Sequence, residues 1–142
     1  MTISNARPSD VESIDAILHA SYEVISGPAG QPRDWERFRS LFAPGARLMP
    51  VIAGANARVR VLTPEEYIER VEAIFEKESF WERESSREQE TIGRMAHVLS
   101  HYESLRDPEG APFERGTNSI QLFTDGTRWW IVSIMWNTQR GE

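Results

Sequence analysis

Apolar residues recur at helical spacing near the start of the chain. The pattern predicts a first helix over about residues 9–25. Its apolar residues would share one face: Val11, Ile14, Leu18, Tyr22 and Ile25. Ser9 and Glu12 have the spacing of a capping box, in which a hydroxyl and a carboxylate each satisfy a free backbone N–H. We therefore expect Ser9 to cap this helix.

Two further helices are predicted before residue 78. One covers about residues 33–42, and Pro32 suits its first turn. The other begins at Thr63, because Thr63, a following proline and Glu66 combine an N-cap, a first-turn proline and a capping box. Its apolar residues fall on one face: Tyr67, Val71, Ile74 and Phe75.

The remaining pattern is that of strands. Short strands are predicted over residues 47–52 and 57–62. After residue 79 the period changes from 3.6 to 2, which predicts four longer strands over residues 80–91, 94–105, 115–123 and 128–137. An Asp-Gly pair within residues 124–127 is typical of a tight hairpin turn. The order indicates an α+β fold in a single domain, residues 1–142, that ends in an antiparallel meander.

Composition narrows the classes of function. The net charge of −6 argues against binding to nucleic acid or to an anionic membrane, since both need clustered cations. The first ten residues lack the apolar core of a signal peptide, and the apolar run at residues 129–136 is too short to span a membrane, so we expect a cytoplasmic protein. Without cysteine there is no thiolate metal site, and no glycine-rich phosphate loop occurs. We therefore predict no metal and no cofactor.

Three stretches of the chain resemble the nuclear transport factor 2-like superfamily, specifically its SnoaL-like branch. They are residues 35–48 (WERFRSLFAPGARL), 96–104 (AHVLSHYES) and 118–136 (NSIQLFTDGTRWWIVSIMW). The resemblance implies a cone-shaped, curved mixed β-sheet wrapped around three N-terminal and central helices, with a pocket at the open end. It also implies a homodimer formed through the outer face of the sheet. Members include ketosteroid isomerase, polyketide cyclases, dehydratases and epoxide hydrolases, so the fold does not fix the activity.

The acidic residues of ketosteroid isomerase have no counterpart at the matching positions. Its general base would fall at about Met49 or Pro50, and its protonated aspartate near Ser119. Residues 47–62 and 115–123 contain no carboxylate. The sequence therefore identifies no general base.

Two histidines and a glutamate suggest an alternative. Dehydratases of this fold use paired histidines with a carboxylate, and His97, His101 and Glu103 share one face of a predicted strand. On a strand the two histidines are about 13 Å apart, too far to hold one metal ion unaided. Alternation makes the other face the natural interior, with Ala96, Val98, Ser100 and Tyr102. An isomerase, dehydratase or cyclase that uses the histidine face would require the opposite orientation, and an error of one residue would reverse it.

The predicted pocket is lined by amphipathic aromatic and small polar side chains. Its candidate ligand-binding residues are Tyr22, Trp35, Ser100, Tyr102, Ser119, Gln121 and Trp136. Ser119 and Gln121 share a face, which Ser100 would join if that face is interior. The interpretation is a binding domain, or a weakly catalytic enzyme, for a small and largely apolar molecule.

The last predicted strand is apolar on both sides. Trp129, Ile131 and Met135 alternate with Trp130, Val132, Ile134 and Trp136. Because a sheet with one wet face should alternate apolar with polar, both faces of this strand need cover. This favours a homodimer, and a structural or partner-binding role for the outer face remains a third hypothesis.

Overall fold

The computed structural model describes residues 5–139, so the predicted domain of residues 1–142 extends beyond the described range at both ends. It contains four helices: α1 (Pro8–Val11), α2 (Ile14–Val24), α3 (Trp35–Arg39) and α4 (Pro64–Lys77). Its six strands are β1 (Phe42–Ile52), β2 (Arg58–Val59), β3 (Trp81–Ile92), β4 (Met95–Leu105), β5 (Glu114–Thr124) and β6 (Trp129–Gln139). None of the helices within residues 5–139 is long and apolar enough to cross a membrane.

One six-stranded sheet carries the fold, in the order β2-β1-β6-β5-β4-β3. Strands β3 to β6 form the predicted antiparallel meander, and β1 runs parallel to β6, so the sheet is mixed. Helix α2 packs on β3 and β6, while α4 packs on β1. The core lies between these helices and the inner face of the curved sheet, where Ile17, Val98, Ile120 and Ile131 are buried. The α+β class is confirmed.

The first predicted helix is broken in two. Helix α1 ends at Val11, and α2 begins at Ile14 with Ser13 as its N-cap, whose hydroxyl accepts from the Ala16 backbone N–H at 3.0 Å. The prediction of Ser9 as the cap is therefore wrong. Ser13 provides the same chemistry four residues later.

The second predicted helix is shorter than its apolar pattern. Helix α3 is capped by Asp34 and ends at Arg39, and β1 already begins at Phe42. The backbone N–H of Ile131 donates to the Leu41 carbonyl at 2.9 Å. Pairing with β6 thus removes Leu41 and Phe42 from the helix.

The start of α4 is confirmed. The Thr63 hydroxyl accepts from the Glu66 backbone N–H at 3.1 Å, and the Glu66 carboxylate accepts from the Thr63 backbone N–H at 2.8 Å. Both halves of the capping box are formed. This helix forms one wall of the cavity described below.

A bulge at Val132 sets the orientation of β6. Gln121 pairs with Ser133 but Leu122 pairs with Ile131, so Val132 is an extra residue. Simple alternation across residues 129–136 is therefore wrong. The inward residues are Trp129, Ile131, Ile134 and Trp136, as their pairing with β5 shows.

Candidate functional site

A cavity of about 420 Å³ lies between α2, α4 and the inner face of the sheet. This volume is within the range of small-molecule sites, about 300–1,000 Å³. Its walls are mostly apolar and include Phe38, Phe42, Leu48, Phe75, Ile120 and Trp136.

Packed rings hold the aromatic wall of the cavity in place. Phe38 stacks on Tyr67 with 5.4 Å between ring centroids, and Tyr67 meets the edge of Trp136 at 6.1 Å. Trp35 packs edge-on against Phe38 at 5.4 Å from the side away from the cavity. The position of the Tyr67 ring is therefore fixed by neighbours on α3 and β6.

Tyr22 is fixed by a hydrogen-bond chain that leads away from the cavity. The Ser100 hydroxyl donates to Glu84 at 2.5 Å, so the Tyr22 hydroxyl, 2.7 Å from Ser100, donates to the serine. The Asn118 amide donates in turn to Tyr22 at 3.0 Å. Glu84 is neutralised by Arg87 at 2.9 Å. Burial raises the pKa of Tyr22 well above its ordinary value, so the hydroxyl stays neutral.

Tyr102 closes the cavity on the β4 side. Its hydroxyl lies 3.1 Å from the Thr138 hydroxyl, and burial raises the pKa of Tyr102 to about 12. Its ring lies over Gly116, its partner on β5. Tyr102 is therefore a neutral polar group beside the apolar wall.

Glu82 is a carboxyl group inside the cavity. It is half-buried, and the one hydrogen bond of its side chain within residues 5–139 comes from Ser104 at 3.4 Å. Burial raises the pKa of Glu82 to about 8; the Ser104 hydrogen bond opposes this rise and the nearby Glu114 carboxylate adds to it. Its backbone is held by Ser26, whose hydroxyl accepts from the Glu82 N–H at 3.0 Å. At neutral pH this carboxyl is mostly protonated and uncharged.

The hydroxyl of Tyr67 is free within the described residues. Tyr67 lines the cavity, and within residues 5–139 its hydroxyl has no hydrogen-bond partner, yet the hydroxyl is not sealed from solvent. Burial raises the pKa of Tyr67 well above its ordinary value, and the Glu82 carboxylate acts in the same direction. Tyr67 therefore offers a neutral donor.

Charged and apolar residues frame the entrance. Arg106, which follows β4, pairs with Glu78 at 2.9 Å and stacks over Phe113 at 4.0 Å from the ring centroid. Arg70 and Ile74 on α4 complete the rim. The entrance is thus more polar than the interior.

Three of the seven predicted site residues line the cavity: Tyr22, Tyr102 and Trp136. Ser100 does not line it but supports Tyr22 from behind. Trp35 lies behind the wall, as described above. Whether any of these residues binds a ligand stays a prediction.

Ser119 and Gln121 lie on the outer face of the sheet. Ser119 pairs with Leu99 and Gln121 with His97, whereas the buried Ser100 pairs with Asn118. Because paired residues share a face, the assignment of Ser119 and Gln121 to the interior is wrong by one position. Asn118 occupies the place expected for Ser119.

The histidine face also points outward. His97 lies 2.9 Å from the Ser119 hydroxyl, and His101 pairs with Glu88 at 2.7 Å. Glu103 pairs with Arg83 at 3.1 Å and with Arg115. The enzyme hypothesis based on His97, His101 and Glu103 needed them inside, and the structure contradicts that placement. Within residues 5–139, no group of three acidic or histidine residues is placed to hold a metal ion.

The sequence reasoning missed Glu82, Tyr67 as a free donor, and Asn118. For Asn118 a signal was present, because it alternates in phase with the buried Ile120 and Leu122. For Glu82 the pattern was ambiguous, since Phe80 and Trp81 offer an apolar residue to each face of β3. Tyr67 was assigned to the buried face of α4, but its free hydroxyl depends on tertiary contacts.

The sequence matches no protein-family model and no curated protein. Solved structures share its fold. A candidate dehydratase of the NTF2-like (nuclear transport factor 2-like) family from Streptomyces avermitilis has a TM-score of 0.66 and 17% identity, over 93% of this chain and 97% of that one. An NTF2-like protein of unknown function from Pseudomonas putida KT2440 has a TM-score of 0.65 and 10% identity, over 87% and 82% of the two chains. The yeast UBP3-associated protein BRE5 has a TM-score of 0.65 and 14% identity, over 89% and 94%.

These likenesses confirm the nuclear transport factor 2-like fold. At such identities they carry the fold alone, because the same architecture supports unrelated activities. The SnoaL-like branch stays a prediction.

Proposed function

We propose that this protein binds a small, uncharged and largely apolar molecule in the cavity. The observation that supports this most directly is the cavity itself, about 420 Å³ with mostly apolar walls. Apolar surface removed from water contributes roughly 25 cal/mol per Å² to affinity before the costs of association. Such walls favour an apolar ligand body.

The polar groups favour an uncharged ligand with one or two oxygen atoms. At neutral pH the inner groups Tyr22, Tyr67 and Tyr102 are neutral, and Glu82 is mostly so. A charged ligand would lose its hydration without gaining an opposite charge in the interior. A carbonyl or hydroxyl oxygen would instead find donors in Tyr67 and in protonated Glu82.

Narrowing the entrance should weaken binding of a neutral apolar fluorophore. Ile74 is exposed at the rim, so Ile74→Trp adds bulk there without disturbing the core. With N-phenyl-1-naphthylamine as the probe, we expect its Kd to rise at least about tenfold, which is about 1.4 kcal/mol. Fluorescence titration measures this change.

Val61→Trp is the matched control for that titration. Val61 is also an exposed aliphatic residue but lies between β2 and α4, away from the cavity lining. Its Kd should equal that of the wild type. Equal weakening by both variants, or no saturable binding to the wild type, would contradict a site in the cavity.

We also propose that two copies pair through the outer face of the sheet. Four large apolar side chains are exposed there: Ile92 at 61%, Met95 at 55%, Phe123 at 41% and Met135 at 37%. Cross-strand pairing puts them on one face, since Met95 pairs with both Ile92 and Phe123, and Met135 pairs with Ser119. A second copy would cover this apolar patch with an identical one.

A charge in this patch should separate the two copies. For Met135→Glu we expect a monomer at concentrations where the wild type is a dimer, with the dimer Kd raised at least about 100-fold, or about 2.7 kcal/mol. Sedimentation equilibrium measures it. Val59→Glu, on the edge strand β2, should leave the dimer intact. A monomeric wild type would instead favour a different partner for this face.

A further inference from the structure

Glu82 has far fewer partners than Glu84, the next inward carboxylate of β3. Glu84 accepts from the Ser100 hydroxyl at 2.5 Å and pairs with Arg87 at 2.9 Å. In the described part of the chain no ion pair includes Glu82, and its side chain accepts a single long hydrogen bond, from the Ser104 hydroxyl at 3.4 Å. Most of the hydrogen-bonding capacity of the Glu82 carboxyl is therefore unused inside the cavity.

The groups around Glu82 supply no counter-charge to it. The titratable side chains that line the cavity beside it are Tyr22, Tyr67, Arg70, Glu78, Tyr102, Arg106 and Glu114. On the α2 side of β3, Glu82 also borders a polar depression lined by Asp15, His19, Glu23, Arg83, Glu84 and Arg87. Arg106 pairs with Glu78 at 2.9 Å, and Arg87 with Glu84. Burial raises the pKa of Glu82 to about 8, which the Ser104 hydrogen bond opposes and Glu114 reinforces, so the carboxyl is mostly uncharged at neutral pH.

An uncharged carboxyl group presents a donor and an acceptor side by side. Its O–H donates, and its C=O oxygen accepts. A ligand that has a lone carbonyl meets the donor and leaves the acceptor unpaired, which costs binding free energy in a water-poor site. A cis amide group, such as that of a lactam, carries N–H and C=O on the same side and matches both at once.

Aromatic surface lies close to Glu82 along the chain. Phe80, two residues before it, lines the cavity and stacks on Phe75 with 5.2 Å between ring centroids. Phe113 meets the Phe80 ring edge-on at 6.4 Å and also lines the cavity. These rings offer apolar surface to a planar ligand whose polar edge reaches Glu82.

We propose that the cavity binds an uncharged planar ligand with a cis amide group, and that the Glu82 carboxyl holds this group by two hydrogen bonds. The ligand N–H donates to the C=O oxygen of the carboxyl, and the carboxyl O–H donates to the ligand carbonyl oxygen. The apolar walls of the cavity take the ligand rings. This inference rests on the proposed function, because it names the class of ligand for the same cavity.

The test compares 2-quinolone, a bicyclic lactam, with N-methyl-2-quinolone, which lacks the N–H. By isothermal titration calorimetry at pH 6.5, we expect the Kd of 2-quinolone to be at least about tenfold lower, or about 1.4 kcal/mol. From pH 6.5 to pH 9.5 its Kd should rise at least about tenfold, because the ionised Glu82 carboxylate has no O–H to donate. 2-Quinolone itself stays neutral over this range.

Two variants separate the paired hydrogen bonds from the shape of the cavity. Glutamine also presents a donor beside an acceptor, so Glu82→Gln should keep the preference for 2-quinolone within about threefold of the wild-type value and lose its pH dependence. Glu82→Leu offers neither group, and its preference should fall to about threefold or less. Glu90→Gln, an exposed glutamate of the same strand, should match the wild type.

The two lactams and the pH profile need only the wild type, so they decide the outcome even if Glu82→Leu does not fold. Equal Kd values for the two lactams, or a preference that Glu82→Leu leaves unchanged, would overturn this inference. Saturable binding of N-phenyl-1-naphthylamine would then leave the binding function standing. Loss of saturable binding of the lactams and of the fluorophore by the wild type would overturn both.

Discussion

Glu82→Gln is expected to stabilise the protein at alkaline pH and to leave its stability unchanged near pH 4. The folded state holds the Glu82 proton up to a pKa of about 8, whereas an ordinary glutamate releases it near 4.5. Between these values the unfolded state binds fewer protons, so the free energy of unfolding of the wild type falls as pH rises. Glutamine resembles the protonated carboxyl and has no charge to desolvate.

The size of this effect follows from the same two pKa values. The interval from 4.5 to about 8 sets an upper value of about 5 kcal/mol for the stabilisation by Glu82→Gln. Because the Glu82 side chain is only half-buried, a smaller stabilisation of about 2 kcal/mol at pH 9 is expected. Urea unfolding at pH 4 and pH 9 measures the difference.

Glu90→Gln is the control for that experiment, since Glu90 is an exposed glutamate on the same strand. Its effect on the free energy of unfolding should be within about 0.5 kcal/mol at both pH values. A Glu82→Gln variant less stable than the wild type at pH 9 would show that the carboxylate is ionised and well solvated there.

Local signals account for most of what the sequence predicted correctly about the fold. The capping box at Thr63 and the Asp-Gly turn of residues 124–127 act within a few residues, so they survive any tertiary context. The meander followed from its period of two. The split between α1 and α2 was missed because Ser9 and Ser13 present the same capping chemistry, and packing selects between them.

The candidate site was less predictable than the fold. Which residues of a strand point inward depends on the phase of its alternation between apolar and polar residues. The assignment of β4 was correct, since Val98 and Tyr102 alternate with polar residues. On β5 the polar face was taken as the pocket lining, although the buried Ile120 and Leu122 bring Asn118 inward. On β6 one bulged residue, Val132, reverses the orientation beyond it, and no local pattern announced that bulge.

Glu82 could not be identified from the sequence for a different reason. Its inward orientation is fixed by long-range contacts at the start of β3: the Phe80 bridge to Gly27 and the Ser26 hydroxyl at its backbone. Its lack of a cationic partner emerges only when the cavity walls are assembled. A glutamate in an acidic stretch is ordinarily a solvated residue, so composition pointed away from it.

Gly116→Ala is expected to destabilise the protein by about 3 kcal/mol or more. A Cβ atom at this position would lie 2.3 Å from the Tyr102 hydroxyl oxygen and 2.7 Å from the backbone carbonyl oxygen of Asn137. The first contact involves a buried ring packed over the glycine, and the second involves β6, which is hydrogen-bonded to β5. Neither can move away without breaking other contacts.

Thermal and urea unfolding test this expectation, with Gly110→Ala as the control. A Cβ at Gly110 would lie 3.4 Å from Asp107, an ordinary contact. Gly110→Ala should therefore lower the free energy of unfolding by less than about 1 kcal/mol. If Gly116→Ala does not fold, a double-mutant cycle at a lower temperature with Tyr102→Ala separates the two contacts. Removing the Tyr102 ring should recover part of the free energy of unfolding lost in Gly116→Ala. The part due to the contact with the Asn137 carbonyl should remain. Full stability of Gly116→Ala would mean that β5 and β6 are farther apart at this point and that Tyr102 does not close the cavity over Gly116.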